Sequence, residues 1–266
     1  MTQLPRITVV TPSYQQGRWL ERTIRSVLDQ GYPDLEFVVL DGGSTDESLD
    51  IIARYADRLS HWSSGPDDGQ AAAIEAGWRA STGEILAWLN SDDFYVEGAL
   101  ELVGHWFINH PDRGFVYGQC RLVDPDGAPL GLTGSPYSRR SLLLSHQMIP
   151  QPAAFLRRGL VERAGFVDPR LRYSMDYDLF MRASAIERPV FLPRILAEAT
   201  IHPDAKTRRD AGPAMDETRA LRRRHARGVE RIAVALQPAS SALYHHLPAS
   251  AQRVIGRFRP ARIRRV

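Results

Sequence analysis

The chain has 266 residues, 43% of them apolar, which allows one catalytic domain with an appendage and a sizeable core. Its single cysteine, Cys120, excludes an intrachain disulfide and favours a cytosolic compartment. We recognise no secretory signal and no apolar span of ~20 residues, so we do not expect a synthase with its own membrane channel. The net charge of +3 divides into an acidic body (19 Lys and Arg, 27 Asp and Glu) and a tail from Lys206 onward (15 and 4), which argues against nucleic acid as the body's partner.

The first half of the chain alternates between strand-like and helix-like patterns. Short apolar or β-branched runs predict strands at 7–11, 35–40 and 85–89. Apolar residues at helical spacing predict helices at 20–28, at 49–56 behind a Ser44–Glu47 capping box, and at 71–79. This alternation predicts βαβ units, and therefore an α/β fold whose mostly parallel central sheet is flanked by helices.

Polar segments follow each of these predicted strands directly. They are Thr11-Pro12-Ser13-Tyr14, Asp41-Gly42-Gly43 and Asn90-Ser91-Asp92-Asp93. Ligands of parallel α/β sheets bind beyond the carboxyl ends of the strands, so we expect all three segments to meet in one crevice.

The second half is less regular. We predict strands at 115–123, 191–193 and 196–201, helices at 160–164 and 173–185, and a turn at 124–127. The apolar, proline-containing segment 142–152 is a candidate loop lining a pocket. Past His202 the composition changes, and we place a boundary between a domain of residues 1–206 and a basic helical extension of residues 207–266.

Taken one at a time, the polar segments are ambiguous. Asp92 and Asp93 could hold a metal ion, but Asp is also common in solvated turns before helices. The Asp41-Gly42-Gly43-Ser44 turn allows close backbone approach, yet glycines mark ordinary turns as well.

Read in order, however, the segments resemble the family 2 glycosyltransferases of the GT-A fold, over about residues 5 to 205. To the strand-end segments this resemblance adds Thr82-Gly83-Glu84 and Met175-Asp176-Tyr177-Asp178-Leu179. A bacterial subgroup is similar in three further places, which are Pro66-Asp67-Asp68-Gly69-Gln70, Pro150-Gln151-Pro152 and His202-Pro203-Asp204. The resemblance implies a Rossmann-like sheet and an inverting enzyme. Such an enzyme would move sugar from a nucleoside-diphosphate sugar, with UDP expected, to a hydroxyl of a glycan or lipid-linked acceptor in cell-surface polysaccharide synthesis.

The resemblance also implies a role for each matching residue. Asp176 would be the catalytic base, and Asp92 and His202 would hold Mn²⁺ or Mg²⁺. The donor would be bound by the remaining positions, which are Thr11, Pro12, Tyr14, Asp41, Asp67, Gln70, Asn90, Ser91 and Asp93. Of these, Asp41 would contact the base, Asn90 the ribose, and Asp93 would support the metal or sugar.

Two positions depart from the family pattern. The first Asp of the Asp-x-Asp motif is Asn90, which keeps a hydrogen-bonding side chain but loses a charge. The acidic residue usual before the catalytic Asp is Met175. Because positions 176 and 178 of a helix point about 200° apart, we expect Asp176 to face the site and Asp178 to be structural.

The basic tail has two open interpretations. Leu221, Val229, Ile232, Ala233 and Leu236 fall on one predicted helical stripe among arginines, and a second basic cluster runs from Arg253 to Arg265. The tail could pack on the protein's own body, or it could contact anionic lipid at the inner face of the plasma membrane.

Three other functions would each differ in the sequence features that they need. A sugar nucleotidyltransferase would need a Gly-rich, basic loop after the first strand, which Thr11–Gly17 lacks. A nucleotide-sugar-binding protein without turnover would not need Asp176, Asp92 and His202. A dinucleotide oxidoreductase would need Gly-x-Gly-x-x-Gly after the first strand, and that motif is absent from that position.

Overall fold

The computed structural model describes residues 3–144 and 148–235. Its first half contains the predicted alternation of strands and helices, with one further strand, β3. The elements are β1 (Ile7–Ser13), α1 (Gly17–Leu28), β2 (Leu35–Asp41), α2 (Ser48–Tyr55), β3 (His61–Ser64), α3 (Gln70–Ala80) and β4 (Ile85–Trp88).

The second half adds strands and helices of mixed order. They are β5 (Asp93–Tyr95), α4 (Ala99–Asn109), β6 (Phe115–Val123), β7 (Pro129–Thr133), α5 (Arg139–Leu144), β8 (Ala154–Arg157), α6 (Arg158–Ala164), α7 (Met175–Ile186), β9 (Val190–Thr200), α8 (Lys206–Arg209) and α9 (Ala211–His225). The two short strands predicted at 191–201 are one strand, β9. Pro193 is tolerated there because the pairing of β9 with β6 shifts register beside Gly118.

The strands form one sheet in the order β3-β2-β1-β4-β8-β6-β9-β5, with β7 on β6. The four strands β3, β2, β1 and β4 are all parallel. The strands of the second half form the antiparallel pairs: β8 runs against β4 and β6, β5 against β9, and β7 against β6. The predicted α/β class with a mostly parallel sheet is confirmed.

Helices cover both faces of this sheet because successive strand residues point to opposite sides. On β1, Val9 packs with α1, α2 and α4, whereas Val10 packs with α3 and α7. Leu221 of α9 is 4% exposed and belongs to the same buried cluster as Val10. Among the described residues, none of the helices is long and apolar enough to cross a membrane.

Two local predictions are wrong. Helix α2 begins at Ser48, and the Ser44 side chain is used in the preceding loop instead of a capping box. The apolar stripe of the tail is not continuous either, since α9 ends at His225 and Gly228 has φ +49°. Leu221 is therefore buried while Val229 and Ile232 are exposed; Leu236 and the Arg253–Arg265 cluster lie outside the described residues.

Candidate active site

The carboxyl ends of β1, β2 and β4 meet at one edge of the sheet. Ser13 lies opposite Asp41 in the β1–β2 ladder, and the Gly42 amide donates to the Ser13 carbonyl at 2.9 Å. On the other side of β1, the Leu89 amide donates to the Val10 carbonyl at 2.9 Å. The strand-end segments therefore lie together, as the parallel order requires.

The Asp41 carboxylate organises the loop that follows β2. Asp41 is 3% exposed and accepts hydrogen bonds from the amides of Gly43 and Ser44 and from the hydroxyls of Ser44 and Ser64, at 2.5 to 3.1 Å. A Cβ at Gly42 would lie 3.2 Å from Asp67 Oδ1. The glycine thus lets the Asp67 loop lie across the Asp41 loop, and both border the crevice.

The turn after β1 exposes one aromatic ring. Thr11 and Pro12 are buried beneath it, whereas Tyr14 is 61% exposed. Gln15 adopts φ +55°, an unusual conformation for a residue other than glycine, and its amide donates to Ser44 Oγ at 2.8 Å. This strained residue turns the chain away from the strand and leaves the Tyr14 ring at the rim of the crevice.

Asn90 lies at the centre of a polar network. Its Nδ2 donates to Asp93 Oδ2 and to Gln151 Oε1, both at 3.0 Å, and its Oδ1 accepts from Gln70 Nε2 at 2.8 Å. Gln151 Nε2 donates in turn to the Trp88 carbonyl at 2.7 Å. The amide side chain uses both its donor and its acceptor, which a carboxylate at this position could not do.

Asp92 and His202 contact each other although 110 residues separate them. His202 Nε2 lies 3.0 Å from Asp92 Oδ2, and His202 is 3% exposed. The imidazole packs on Trp19 with ring centroids 5.4 Å apart. Thr23 fixes the acidic turn from below, donating to the Ser91 carbonyl at 2.8 Å.

Asp93 lies deeper than its neighbour. Burial, and then the charge of Asp92, raise the pKa of the Asp93 carboxyl well above its usual range. The hydrogen bond from Asn90 works in the opposite direction. The two adjacent carboxyls therefore occupy different environments, and Asp92 is the more exposed of them.

The Asp92–His202 pair fits a divalent cation bound together with a diphosphate. A carboxylate oxygen and an imidazole nitrogen are both ligands of Mn²⁺, and Mg²⁺ is commonly held by one or two carboxylates plus substrate phosphates. Residues 3–144 and 148–235 contain no group of three or more His, Cys, Asp and Glu placed as a metal cage. Asp92 and His202 are two neighbouring side chains of the types that bind such an ion.

Asp176 and Asp178 differ as the helical geometry predicts. Asp178 is fully buried, accepts from Arg182 Nε at 2.7 Å, and contacts His225 Nε2 at 2.8 Å. Asp176 lies in the first turn of α7, partly exposed, and accepts from the Tyr177 amide at 2.7 Å. Asp178 is thus committed to packing α7, whereas Asp176 is accessible.

Lys206 connects the loop before α7 with the Asn90 network. Its Nζ donates to Gln70 Oε1 at 3.3 Å and lies 5.6 Å from the centre of the Tyr173 ring. Burial lowers the pKa of this lysine. Tyr173 precedes Asp176 by three residues, so Lys206 links the Gln70 side of the Asn90 network to the loop that leads into α7.

Several residues of this site carry no role in the sequence interpretation, among them Trp19, Gln151 and Lys206. Gln151 lies in the Pro150-Gln151-Pro152 stretch and Lys206 four residues after His202, so proximity to a motif is the signal for both. Trp19 contacts His202, which is distant in sequence, and a single sequence does not indicate such a contact.

Sequence comparison with known proteins identifies the family of this chain. The profile described as Glycosyl transferase family 2 matches residues 8–165. An uncharacterized glycosyltransferase of Mycobacterium tuberculosis strain H37Rv is 29% identical over 204 residues, covering 74% of this chain and 76% of the relative. Chondroitin synthase of Pasteurella multocida is 27% identical over 76% of this chain, which spans only 21% of that larger protein.

Solved structures share the fold. Residues 1–349 of S. aureus TarS in complex with UDP-GlcNAc align with a TM-score of 0.66 and 19% identity, covering 81% of this chain and 65% of TarS 1–349. The mannosyltransferase PcManGT of Pyrobaculum calidifontis, in complex with GDP-Man and Mn²⁺, aligns with a TM-score of 0.62 and 19% identity over 96% of this chain and 80% of that one. The fold is therefore that of the GT-A structures.

Proposed function

This chain belongs to glycosyl transferase family 2, and we propose that it is an inverting, metal-dependent enzyme that transfers sugar from a nucleoside-diphosphate sugar, with UDP expected. The acceptor would be a hydroxyl of a glycan or a lipid-linked glycan. The observation that carries this proposal is the buried contact of His202 with Asp92 at the edge where β1, β2 and β4 end. The imidazole packs on Trp19 and reaches the acidic turn that follows β4, which supports a shared role for the two side chains.

The donor would lie along the strand ends. The exposed Tyr14 ring can stack on the base, while the buried Thr11 and Pro12 support it from below. Asp41 and Asp67 would border the base, and Gln70, Asn90 and Ser91 would face the ribose and phosphates. In this arrangement the ammonium of Lys206, which already contacts Gln70, would balance diphosphate charge.

Asp92 and His202 would hold Mn²⁺ or Mg²⁺, and Asp93 would support them from the buried side. The cation supplies charge neutralisation for the departing diphosphate. Both side chains are already supported, the imidazole by Trp19 and the aspartate turn by Thr23, so little reorganisation is needed on binding.

Asp176 would act as the general base. Its carboxylate takes the proton of the acceptor hydroxyl while that oxygen bonds to the anomeric carbon. The bond from the anomeric carbon to the diphosphate breaks on the opposite side, so the nucleoside diphosphate leaves and the anomeric configuration inverts. Asp178 cannot share this role, because Arg182 and His225 occupy its buried oxygens.

The C-terminal segment supports a location at a membrane surface. Val229 and Ile232 are 82% and 64% exposed, and Arg227 and Arg231 flank them. Exposed apolar side chains among arginines suit an anionic lipid surface. We therefore propose a cytoplasmic protein bound peripherally at the inner face of the plasma membrane, where a lipid-linked acceptor would be found.

A donor screen tests the proposal. Purified protein is incubated with a panel of nucleoside-diphosphate sugars and Mn²⁺ or Mg²⁺, and release of nucleoside diphosphate is measured with and without a mixture of glycan acceptors. We expect Asp176→Asn to lower turnover by about 10²- to 10⁴-fold while donor binding is kept. Asp50→Asn, at an exposed Asp in the first turn of α2, is the matched control and should retain activity. Full activity of Asp176→Asn would overturn the assignment of the base.

A further inference from the structure

A carboxylate from the C-terminal helix binds the loop that precedes Asp176. Glu217 of α9 accepts three consecutive backbone amides: Glu217 Oε2 accepts from Arg172 at 2.9 Å, and Oε1 accepts from Tyr173 at 2.8 Å and from Ser174 at 2.6 Å. Ser174 is the N-cap residue directly before α7, and Asp176 lies in the first turn of that helix. One side chain thus holds the entry of the helix that carries Asp176.

Neighbouring contacts hold the same loop to the same helix. Ser174 Oγ and Thr218 Oγ1 are 2.7 Å apart, and the Tyr173 hydroxyl donates to Asp210 Oδ2 at 3.0 Å. Two turns farther along α9, His225 contacts Asp178 at 2.8 Å. Helix α9 therefore contacts both the loop before Asp176 and the buried side of α7 at Asp178.

Glu217 satisfies three backbone amides of this loop at once. Three successive amides that point in one direction need an acceptor, and charged acceptors give hydrogen bonds roughly twice as strong as neutral ones. Glu217 is half-buried, so its bonds are partly shielded from water. Its neighbour Asp216, by contrast, points outward and is 75% exposed beside Arg219.

We propose that Glu217 is a positioning residue for glycosyl transfer, which fixes Asp176 against the acceptor by accepting the amides of residues 172–174. This inference rests on the proposed role of Asp176 as base. General-base catalysis requires the carboxylate to lie within hydrogen-bond reach of the proton it removes. A loop released from Glu217 would let the first turn of α7 shift.

The test compares Glu217→Gln, Glu217→Ala and the control Asp216→Ala. Because an error of about 1 Å in placement can cost about 100-fold, we expect Glu217→Ala to lower kcat by about that factor, with donor KM and nucleotide affinity within about twofold of the wild type. Glu217→Gln keeps one acceptor oxygen, so it should recover part of kcat. Asp216→Ala should match the wild type.

A second measurement does not depend on turnover. Amide hydrogen exchange of the peptide spanning residues 170–176 should be faster in Glu217→Ala and unchanged in Asp216→Ala. Unchanged exchange would overturn the proposed hold on the loop, whatever the activity. Faster exchange with wild-type kcat, or a fall in kcat matched by loss of donor binding and a general loss of Tm, would reduce Glu217 to a structural residue. If wild-type protein releases no nucleoside diphosphate from any donor, the proposed function fails while the exchange result still decides the loop contact.

Discussion

Asn90 shows how one residue can depart from a family pattern and still be required by its surroundings. Restoring the usual acid with Asn90→Asp would remove the donor that serves both Asp93 and Gln151 and would place a third carboxyl beside two others. We expect Asn90→Asp to lower the free energy of unfolding by about 1.5–3 kcal/mol, the range for hydrogen bonds to charged groups, and to raise donor KM. Denaturant unfolding and steady-state kinetics measure both, with Asn109→Asp on the exposed end of α4 as control. Equal or greater stability of Asn90→Asp would mean that the network tolerates the charge.

Asp92 and His202 should act as one unit. If both hold the cation, Asp92→Ala and His202→Ala should each lower turnover about 100-fold or more, and the double variant should lose little beyond either single one. Titration of Mn²⁺ should show weaker activation in each single variant, whereas Asp112→Ala, at a 73% exposed carboxylate beside Arg113, should behave as wild type. Additive losses in the double variant would indicate separate roles.

The sequence predicts some residues of this site and not others, and the difference has a physical cause. Residues that end parallel strands, such as Asp41 and Asn90, are brought together by the topology itself, so a correct βαβ interpretation already places them. Residues such as Glu217 and Lys206 reach the site from helices whose docking depends on tertiary packing. The capping box failed for a different, local reason: the Ser44 hydroxyl donates to Asp41 three residues before it, and α2 begins only at Ser48.

At the scale of elements, the strands that the sequence pattern missed are short or interrupted. Strand β5 has three residues and pairs with β9, and β8 has four residues. Strand β9 contains a proline and changes register beside Gly118, which breaks its alternation. Its course nevertheless matters most for the site, because it leads directly to His202.

Gly118 makes this course possible. A Cβ there would lie 2.5 Å from Leu196 Cγ and 2.7 Å from the Arg194 carbonyl, so β9 would have to move. We expect Gly118→Ala to cost about 1–3 kcal/mol of stability, as overpacking does, and to weaken metal activation through displacement of His202. Gly159→Ala in α6 is a control of opposite sign, since a Cβ there meets open space and alanine favours a helix by about 0.5–1 kcal/mol. Thermal unfolding of both variants measures the difference, and equal stability of Gly118→Ala and wild type would show that β9 adapts freely.

At the scale of the whole molecule, a buried carboxylate, Asp178, joins α7 to the C-terminal helix α9 through His225. Burial works to raise the pKa of Asp178, but the His225 hydrogen bond and the Arg182 charge outweigh it, and the pKa is lowered. A carboxyl with a lowered folded pKa stabilises the fold above its unfolded pKa, about 3.9, and this contribution is lost as pH falls through the folded pKa. Asp178→Asn should therefore be less stable than wild type at pH 7, with the difference shrinking below about pH 4. Unfolding free energies across this pH range check it, and a difference that stays constant with pH would contradict it.

The same contacts decide where the tail can be cut. Leu221, Ala226 and Val234 are each less than a tenth exposed and belong to the core, while Glu217 and His225 hold α7. A chain ending at residue 206 loses all of these side chains, so we expect it to be insoluble or to melt more than about 10 °C below the full chain, given the several buried side chains it uncovers.

A chain ending at residue 235 keeps the buried side chains of α9 and the contacts with α7. It should stay folded and release nucleoside diphosphate in the absence of lipid, but should bind anionic vesicles more weakly because the arginines of 253–265 are gone. Co-sedimentation with phosphatidylserine vesicles measures this, with Val229→Asp in the full chain as a point variant that spares the core. Undiminished vesicle binding by the chain ending at 235 would assign lipid contact to Val229, Ile232 and their neighbouring arginines alone. If the intact protein does not bind the vesicles, the proposed membrane location is wrong.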